Sequence, residues 1–247
     1  MLGVLARALE RFPAGKPVQV TRMTVDMLRA APIAPIETPV RMLREGRMVE
    51  LLEASITCGG KEFVRATALR TRLAEIDTSA LREPAGTAER FTDQEFSPPH
   101  GVVFFARCLQ MQPGRGPNEG MVWYRLRTPL VAGETPSPLV RVAAAADFAY
   151  GSPMLLRAKR DARYVPDRHF NIINPDTTLS LLRPLEGEWV GLEGQTLLGD
   201  VGSGLAMTRV WDERGIIGHI TQSVLVRDHS SSEPAKIGWR RLRKAGR

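Results

Sequence analysis

An internal repeat constrains this chain more than any other feature. An amphipathic helix is expected at the start, where Leu2, Leu5, Leu9 and Phe12 recur at spacings of three, four and three to form one apolar stripe, ended by Pro13 and Gly15. A second helix is expected after Ser137, a good N-cap, with Pro138 in its first turn, Leu139, Val142, Ala143 and Ala146 on one apolar face, and Gly151 as its close. The strand signals that follow the two helices also match: Val18 to Arg29 after the first and Phe170 to Pro184 after the second, each ending in Leu-Arg with a Pro nearby. Laying Arg29 on Arg183 sets an offset of 154 residues, which also lays Ala68 on Gln222. Between these anchors each half has a hairpin, residues 50–69 turning at Gly59-Gly60 and residues 204–226 turning at Asp212 to Gly215. A further hairpin is expected in the second half from Val102 to Leu109 and Met121 to Arg127, joined by a loop from Pro113 to Gly120.

Each helix has one apolar face and must bury it against a sheet. A long antiparallel sheet wrapped around one helix is a hotdog, so two such units imply an α+β chain with a double-hotdog architecture. The expected division is a first module over 1–80, a Pro-, Glu-, Thr- and Ser-rich linker over 81–101, a second module over 102–228 and a basic flexible tail over 229–247. The tail matters for charge. Of the net +7, six basic residues (Lys236, Arg240, Arg241, Arg243, Lys244 and Arg247) fall in the last twelve positions, so the body is close to balance. With no RNP, zinc-finger or helix-turn-helix pattern, a nucleic-acid partner is not expected. No stretch approaches the roughly 20 apolar residues of a membrane span, and Arg7, Glu10 and Arg11 break up the N-terminal apolar residues, so neither a span nor a signal peptide is expected. Cys58 and Cys108 lack a CxxC or CxH pattern and read as reduced thiols of a cytoplasmic protein, without a metal site.

Several motifs cluster in the second half. An acidic residue lies seven positions before an Arg-Pro pair (Asp176, Arg183, Pro184), followed by a Gly-Glu-Trp turn (Gly187, Glu188, Trp189), a hydroxyl residue on the next strand (Thr196) and a Gln on the last strand (Gln222). Gly202-Ser203-Gly204 and the turn Trp211-Asp212-Glu213-Arg214-Gly215 accompany them. In these motifs the second half resembles the C-terminal half of the type II, TesB-like acyl-CoA thioesterases. Residues 17–32 and 46–56 extend the resemblance to the first half, so that it covers nearly the whole chain before the tail.

The resemblance implies that Asp176, Thr196 and Gln222 are catalytic, that the substrate is an acyl-CoA, and that no cofactor is used. Thioester hydrolysis needs a water held against the carbonyl carbon and a carboxylate to orient it or take its proton, a role for Asp176. Thr196 and Gln222 would hold the water or the substrate without adding charge. A helix N-terminus would supply donors to the carbonyl oxygen, where negative charge develops. Taken singly, these residues are unremarkable: Asp176 follows the turn signal Asn174-Pro175, Thr196 suits any strand, and Gln222 interrupts an apolar strand as a satisfied or exposed polar residue does. Their joint match to one pattern carries the reading. The offset maps them to Arg22, Met42 and Ala68, which cannot reproduce the set, so one site per chain is expected.

Two departures from the family stand out. In relatives a strand and a His-Gly-Gly-like segment precede the first helix, whereas this sequence opens at Met1-Leu2-Gly3, inside the equivalent helix, so the first module is expected to be N-terminally shortened. Leu197 and Leu198 follow Thr196 where relatives often carry more polar residues, which leaves the hydroxyl position open by one residue.

Direct attack by water is expected, since there is no GxSxG elbow and neither cysteine has an evident His partner. The alternative is a non-catalytic acyl-CoA or acyl-chain binding protein. A third reading, a hydratase, would use His169 near Asp176 as an acid–base partner. Exposed sheet edges also point to a homo-oligomer.

Overall fold

The computed structural model describes residues 1–81, 86–95, 108–117, 120–160 and 170–228. His169, Val102 to Arg107 and the tail from 229 lie outside the described residues. The elements are α1 (Leu2–Arg11), β1 (Val18–Met27), β2 (Val40–Arg44), β3 (Val49–Cys58), β4 (Lys61–Arg72), β5 (Glu89–Arg90), β6 (Leu109–Arg115), β7 (Gly120–Leu126), α2 (Pro138–Ala146), α3 (Gly151–Arg160), β8 (Phe170–Ile173), β9 (Asp176–Leu181), β10 (Val190–Leu198), β11 (Ser203–Asp212) and β12 (Gly215–Asp228).

One antiparallel sheet runs in the order β2-β3-β4-β1-β9-β12-β11-β10-β7-β6-β5, with β8 paired to β12. Its first eight strands are two copies of one four-strand unit meeting at β1 and β9. The 154-residue offset holds pair by pair. Val40 faces Ala54 and Gly194 faces Thr208; Leu52 faces Ala68 and Ala206 faces Gln222; Thr24 faces Thr67 and Thr178 faces Thr221. Even the register irregularity between Ile56 and Thr57 recurs between Val210 and Trp211. Where β1 meets β9, Thr24 faces its own image Thr178, whose hydroxyl donates to Thr24 Oγ1 at 3.3 Å. The pseudo-two-fold axis passes between them.

The helices lie on the inner face of the sheet, α1 against β3 and β1, α2 against β7, β10 and β9, and α3 against β10 and β7. Leu2, Leu5, Ala6 and Leu9 bury the predicted stripe of α1. Phe12 is extended and ends the helix, and Arg70 of β4 caps it, with Nη1 donating to Phe12 O at 2.8 Å and Nη2 to Pro13 O at 3.2 Å. Arg70, only 2% exposed, also pairs with Glu50 at 2.7 Å, and Lys16 reaches the other Glu50 oxygen at 3.1 Å. At the second helix Ser137 accepts from Val140 N at 3.2 Å, the expected N-cap, and hydrogen-bonds Glu10 of α1 with its own proton. The two helices are antiparallel neighbours, Gly3 lying against Val140 O and Ala144 Cβ. The Gly59-Gly60 turn has both residues at positive φ, as the tight hairpin requires.

Four expectations are corrected. Gly151 does not close the second helical region: the chain turns over Asp147 to Tyr150 and Gly151 opens α3. The strand expected over 170–184 is two strands, because Pro175 offers no amide to a ladder and the chain breaks at Asn174-Pro175. The strand expected over 18–29 ends at Met27. The hairpin strand expected to end at Leu109 starts there, and the expected loop residues Pro113 and Gly114 are part of it. Pro113 is tolerated because its carbonyl, which accepts from Phe91 N at 2.9 Å, and its missing N–H share one flank, where the partner β5 is only two residues long.

Candidate active site

The motif residues of the second half separate into an ion-paired and aromatic set and a candidate set. Arg183, of the Arg-Pro motif, forms a forked ion pair with Asp212, of the Trp-Asp-Glu-Arg-Gly turn, with Nη2 to Oδ1 at 2.7 Å. Asp212 also accepts from the amides of Glu186 and Arg214, at 3.0 and 2.9 Å. Trp189, of the Gly-Glu-Trp turn, packs on the outer face of the sheet with Met121, Trp123 and Trp211. The guanidinium groups of Arg90 and Arg125 lie 4.3 and 5.0 Å from its ring centre. These residues fix the corner that leads into β10.

Burial raises the Asp212 carboxyl pKa, but the Arg183 guanidinium and the two amides outweigh it and hold the group below its ordinary value. A carboxyl depressed in the folded state stabilises above its unfolded pKa and loses that contribution as pH falls through the folded one. The melting temperature should therefore be flat near neutrality and drop below about pH 4. The acid limb should be shallower in Asp212→Asn, and an unchanged limb in scanning calorimetry would contradict this account.

The candidate residues Thr196 and Gln222 lie on the inner face. Across the second unit, Thr196 of β10, Ala206 of β11, Gln222 of β12 and Thr177 of β9 form one row. The corresponding row of the first unit is Met42, Leu52, Ala68 and Met23, wholly apolar. The polar row grips the elbow between α2 and α3. Gln222, fully buried, accepts from Tyr150 N at 2.8 Å and donates to Ala146 O at 3.2 Å and to Thr177 Oγ1 at 2.9 Å. Thr196 Oγ1 donates to Tyr150 O at 2.7 Å. One row further along, Thr208 Oγ1 reaches Ala149 O at 3.4 Å, and a Cβ on the neighbouring Gly194 would fall 2.5 Å from that hydroxyl. Glycine keeps the strand close to the elbow. Beneath α3, the buried Tyr124 hydroxyl meets Ser152 Oγ at 2.7 Å, and Ser152 in turn donates to Phe148 O.

Thr196 and Gln222 thus hold one residue, Gln222 accepting from the Tyr150 N–H and Thr196 donating to the Tyr150 carbonyl. Asp176 is placed differently. It opens β9, out of phase with the inward Thr177, and its Oδ1 accepts from the amide of Ser223, the residue after Gln222, at 2.8 Å. Among the described residues its carboxylate makes no bond to Thr196 or Gln222. The start of α3 offers few free donors, since the amide of Tyr150 goes to Gln222 and those of Gly151 and Ser152 to Phe148 O. Thr177 and Thr208 escaped the sequence reading. The offset could have found them, because their images Met23 and Ala54 are apolar and a hydroxyl on the same inward phase breaks the repeat.

Comparison with known proteins bears on the family and the fold. The profile of the acyl-CoA thioesterase N-terminal domain matches residues 1–71, and that of the C-terminal domain matches residues 77–226. Among curated proteins no relative matches the sequence. Among solved structures, the acyl-CoA thioesterase II TesB2 of Mycobacterium marinum is similar at TM-score 0.65 and 15% identity, over 94% of this chain and 89% of that one. A tesB protein of Mycobacterium avium subspecies paratuberculosis has TM-score 0.63 and 13% identity over 91% and 84%. A hot dog fold protein of Alicyclobacillus acidocaldarius has TM-score 0.65 and 18% identity over 92% and 85%. At these identities the structures speak for the fold, and the two profiles, which together span nearly all of the chain before its tail, speak for the lineage: the chain belongs to the TesB-like acyl-CoA thioesterase family, with a double-hotdog fold.

Proposed function

We propose that the chain hydrolyses an acyl-CoA to the free acid and CoA by direct attack of water, at one site in the second unit. A water oxygen adds to the thioester carbonyl carbon, its proton passes to Asp176, the carbon–sulfur bond breaks, and the proton is returned to the departing CoA sulfur. Asp176 suits this role because its Oδ2 has no protein partner among the described residues. Gln222, on the strand next to that of Asp176, and Thr196, on β10, would hold the water or other parts of the thioester. The observation that carries the reading is the polar row of the second unit, set in the same register as an apolar row in the first. The reading takes the chain as a cytoplasmic homo-oligomer associating through its sheet edges, with modules over 1–80 and 102–228.

Thiol release from a panel of acyl-CoA esters of graded chain length tests this. Release that depends on enzyme concentration is expected with at least one ester. The alternative, binding without hydrolysis, draws on the fact that Thr196 and Gln222 already bond to Tyr150. Tight binding of acyl-CoA with no thiol released from any ester would favour it and overturn the hydrolase reading.

A further inference from the structure

The turn between β10 and β11 is apolar where a solvated turn is ordinarily polar. Leu197 and Leu205 are cross-strand partners at its base, Leu198 ends β10, and Val201 sits in the turn itself. All four are at least two-fifths exposed, and Val201 reaches 84%. The repeat shows that the fold does not require this. The 154-residue offset lays Leu198 and Val201 on Arg44 and Arg47, so the equivalent turn of the first unit is charged.

Two more exposed apolar side chains lie at the same corner. Val226 N donates to Gly202 O at 2.9 Å, which ties the last residues of β12 to the turn. On the other flank of β12, Leu225 pairs with Ile173 and Asp228 with Phe170. Phe170 and Ile173 are exposed as well, so six large apolar side chains gather around one end of β12. Such residues scattered singly are ordinary, whereas a cluster of them marks an interaction surface.

Charge identifies the partner. The chain leaves β12 at Asp228, and residues 229–247 contain Lys236, Arg240, Arg241, Arg243, Lys244 and Arg247 against one acidic residue, Glu233. Asp200 in the turn and Asp228 oppose them and Arg227 adds to them, which leaves a net positive charge. Apolar insertion and a polybasic segment are each weak membrane signals, and together they suffice for binding to an anionic bilayer. We infer that the β10–β11 turn and the basic segment after Asp228 form a docking surface for an anionic lipid bilayer, with Val201 and its apolar neighbours entering the headgroup layer and the basic residues meeting the headgroups. This goes beyond the hydrolase reading and does not depend on it.

Cosedimentation of the full chain with lipid vesicles tests it. Vesicles of equal parts phosphatidylcholine and phosphatidylglycerol should bind the chain, and vesicles of phosphatidylcholine alone should bind it at least about tenfold more weakly. Val201→Ser combined with Leu205→Thr removes much of the apolar surface, and Arg240→Gln, Arg241→Gln, Arg243→Gln and Lys244→Gln together remove most of the charge. Each set should weaken binding to the anionic vesicles by about tenfold or more with the melting temperature unchanged. Val201→Phe should tighten binding, a gain that misfolding cannot imitate. An unaltered chain that does not bind the anionic vesicles would overturn the inference. So would undiminished binding in either loss variant, or Val201→Phe binding no more tightly than the unaltered chain. Tighter binding to duplex DNA than to the vesicles, indifferent to the turn variant, would mark a nucleic-acid contact and overturn it too. Thiol release enters none of these readings, so they stand or fall apart from the proposed function.

Discussion

Asp176→Asn is expected to lower thiol release by about 100-fold or more, the range in which a positioned proton acceptor contributes. The substitution is a clean one here. Asp176 spends one oxygen on the Ser223 amide, and asparagine retains an oxygen that can accept from the same N–H, so the break between β8 and β9 should close in the same way. What is lost is the ability to take a proton from water. The fold can be checked by an unchanged melting temperature. If Asp176→Asn keeps more than half of the activity, the base lies elsewhere. His169→Ala should leave hydrolysis largely intact if Asp176 works alone, and the reverse outcome, activity lost in His169→Ala and kept in Asp176→Asn, would favour the hydratase reading.

The largest effect on stability is expected at Glu50. Glu50 and Arg70 are both nearly excluded from solvent, and Arg70 holds the end of α1 through Phe12 O and Pro13 O. Burial raises the Glu50 carboxyl pKa, but Lys16 and Arg70 more than offset it and keep the group below its ordinary value. Glu50→Ala leaves the Arg70 guanidinium buried without its counter-charge, and Arg cannot shed its proton to escape. A loss of about 3–5 kcal/mol in denaturant unfolding is expected. The double variant Glu50→Leu, Arg70→Met removes both charges and should recover a large part of it, because an apolar pair has no desolvation cost to recoup. A double variant no more stable than Glu50→Ala would show that losing the Arg70 cap costs as much as leaving the charge unpaired.

Much of the fold was legible because the sequence repeats itself. Strand register is a local property in a hairpin: once Gly59-Gly60 fixes one turn, every pair up the ladder follows, and a second hairpin with the same spacing must repeat it. The offset read from Arg29 and Arg183 therefore carries one pairing onto another, Leu52 with Ala68 onto Ala206 with Gln222. The helix stripes and the Ser137 cap were legible for the same reason, since each depends on residues within one or two turns.

The misplaced elements depend on something further away. Gly151 reads as a helix stop by its own chemistry, yet here it starts α3, because the elbow before it is held from outside by Gln222, Thr196 and Thr208. Pro113 reads as a loop residue, and whether it can sit in a strand depends on how short its neighbour β5 is. For the candidate site the sequence alone named Gln222, Thr196 and Asp176 and confined them to the second half. Only the tertiary structure decided that the first two bond the N–H and the carbonyl of Tyr150, that Thr177 completes the row, and that Asp176 turns instead to Ser223. The reason is physical: residue type and spacing fix which side chains can share a face, but which backbone groups lie within hydrogen-bond reach is set by how the α2–α3 elbow packs on the sheet.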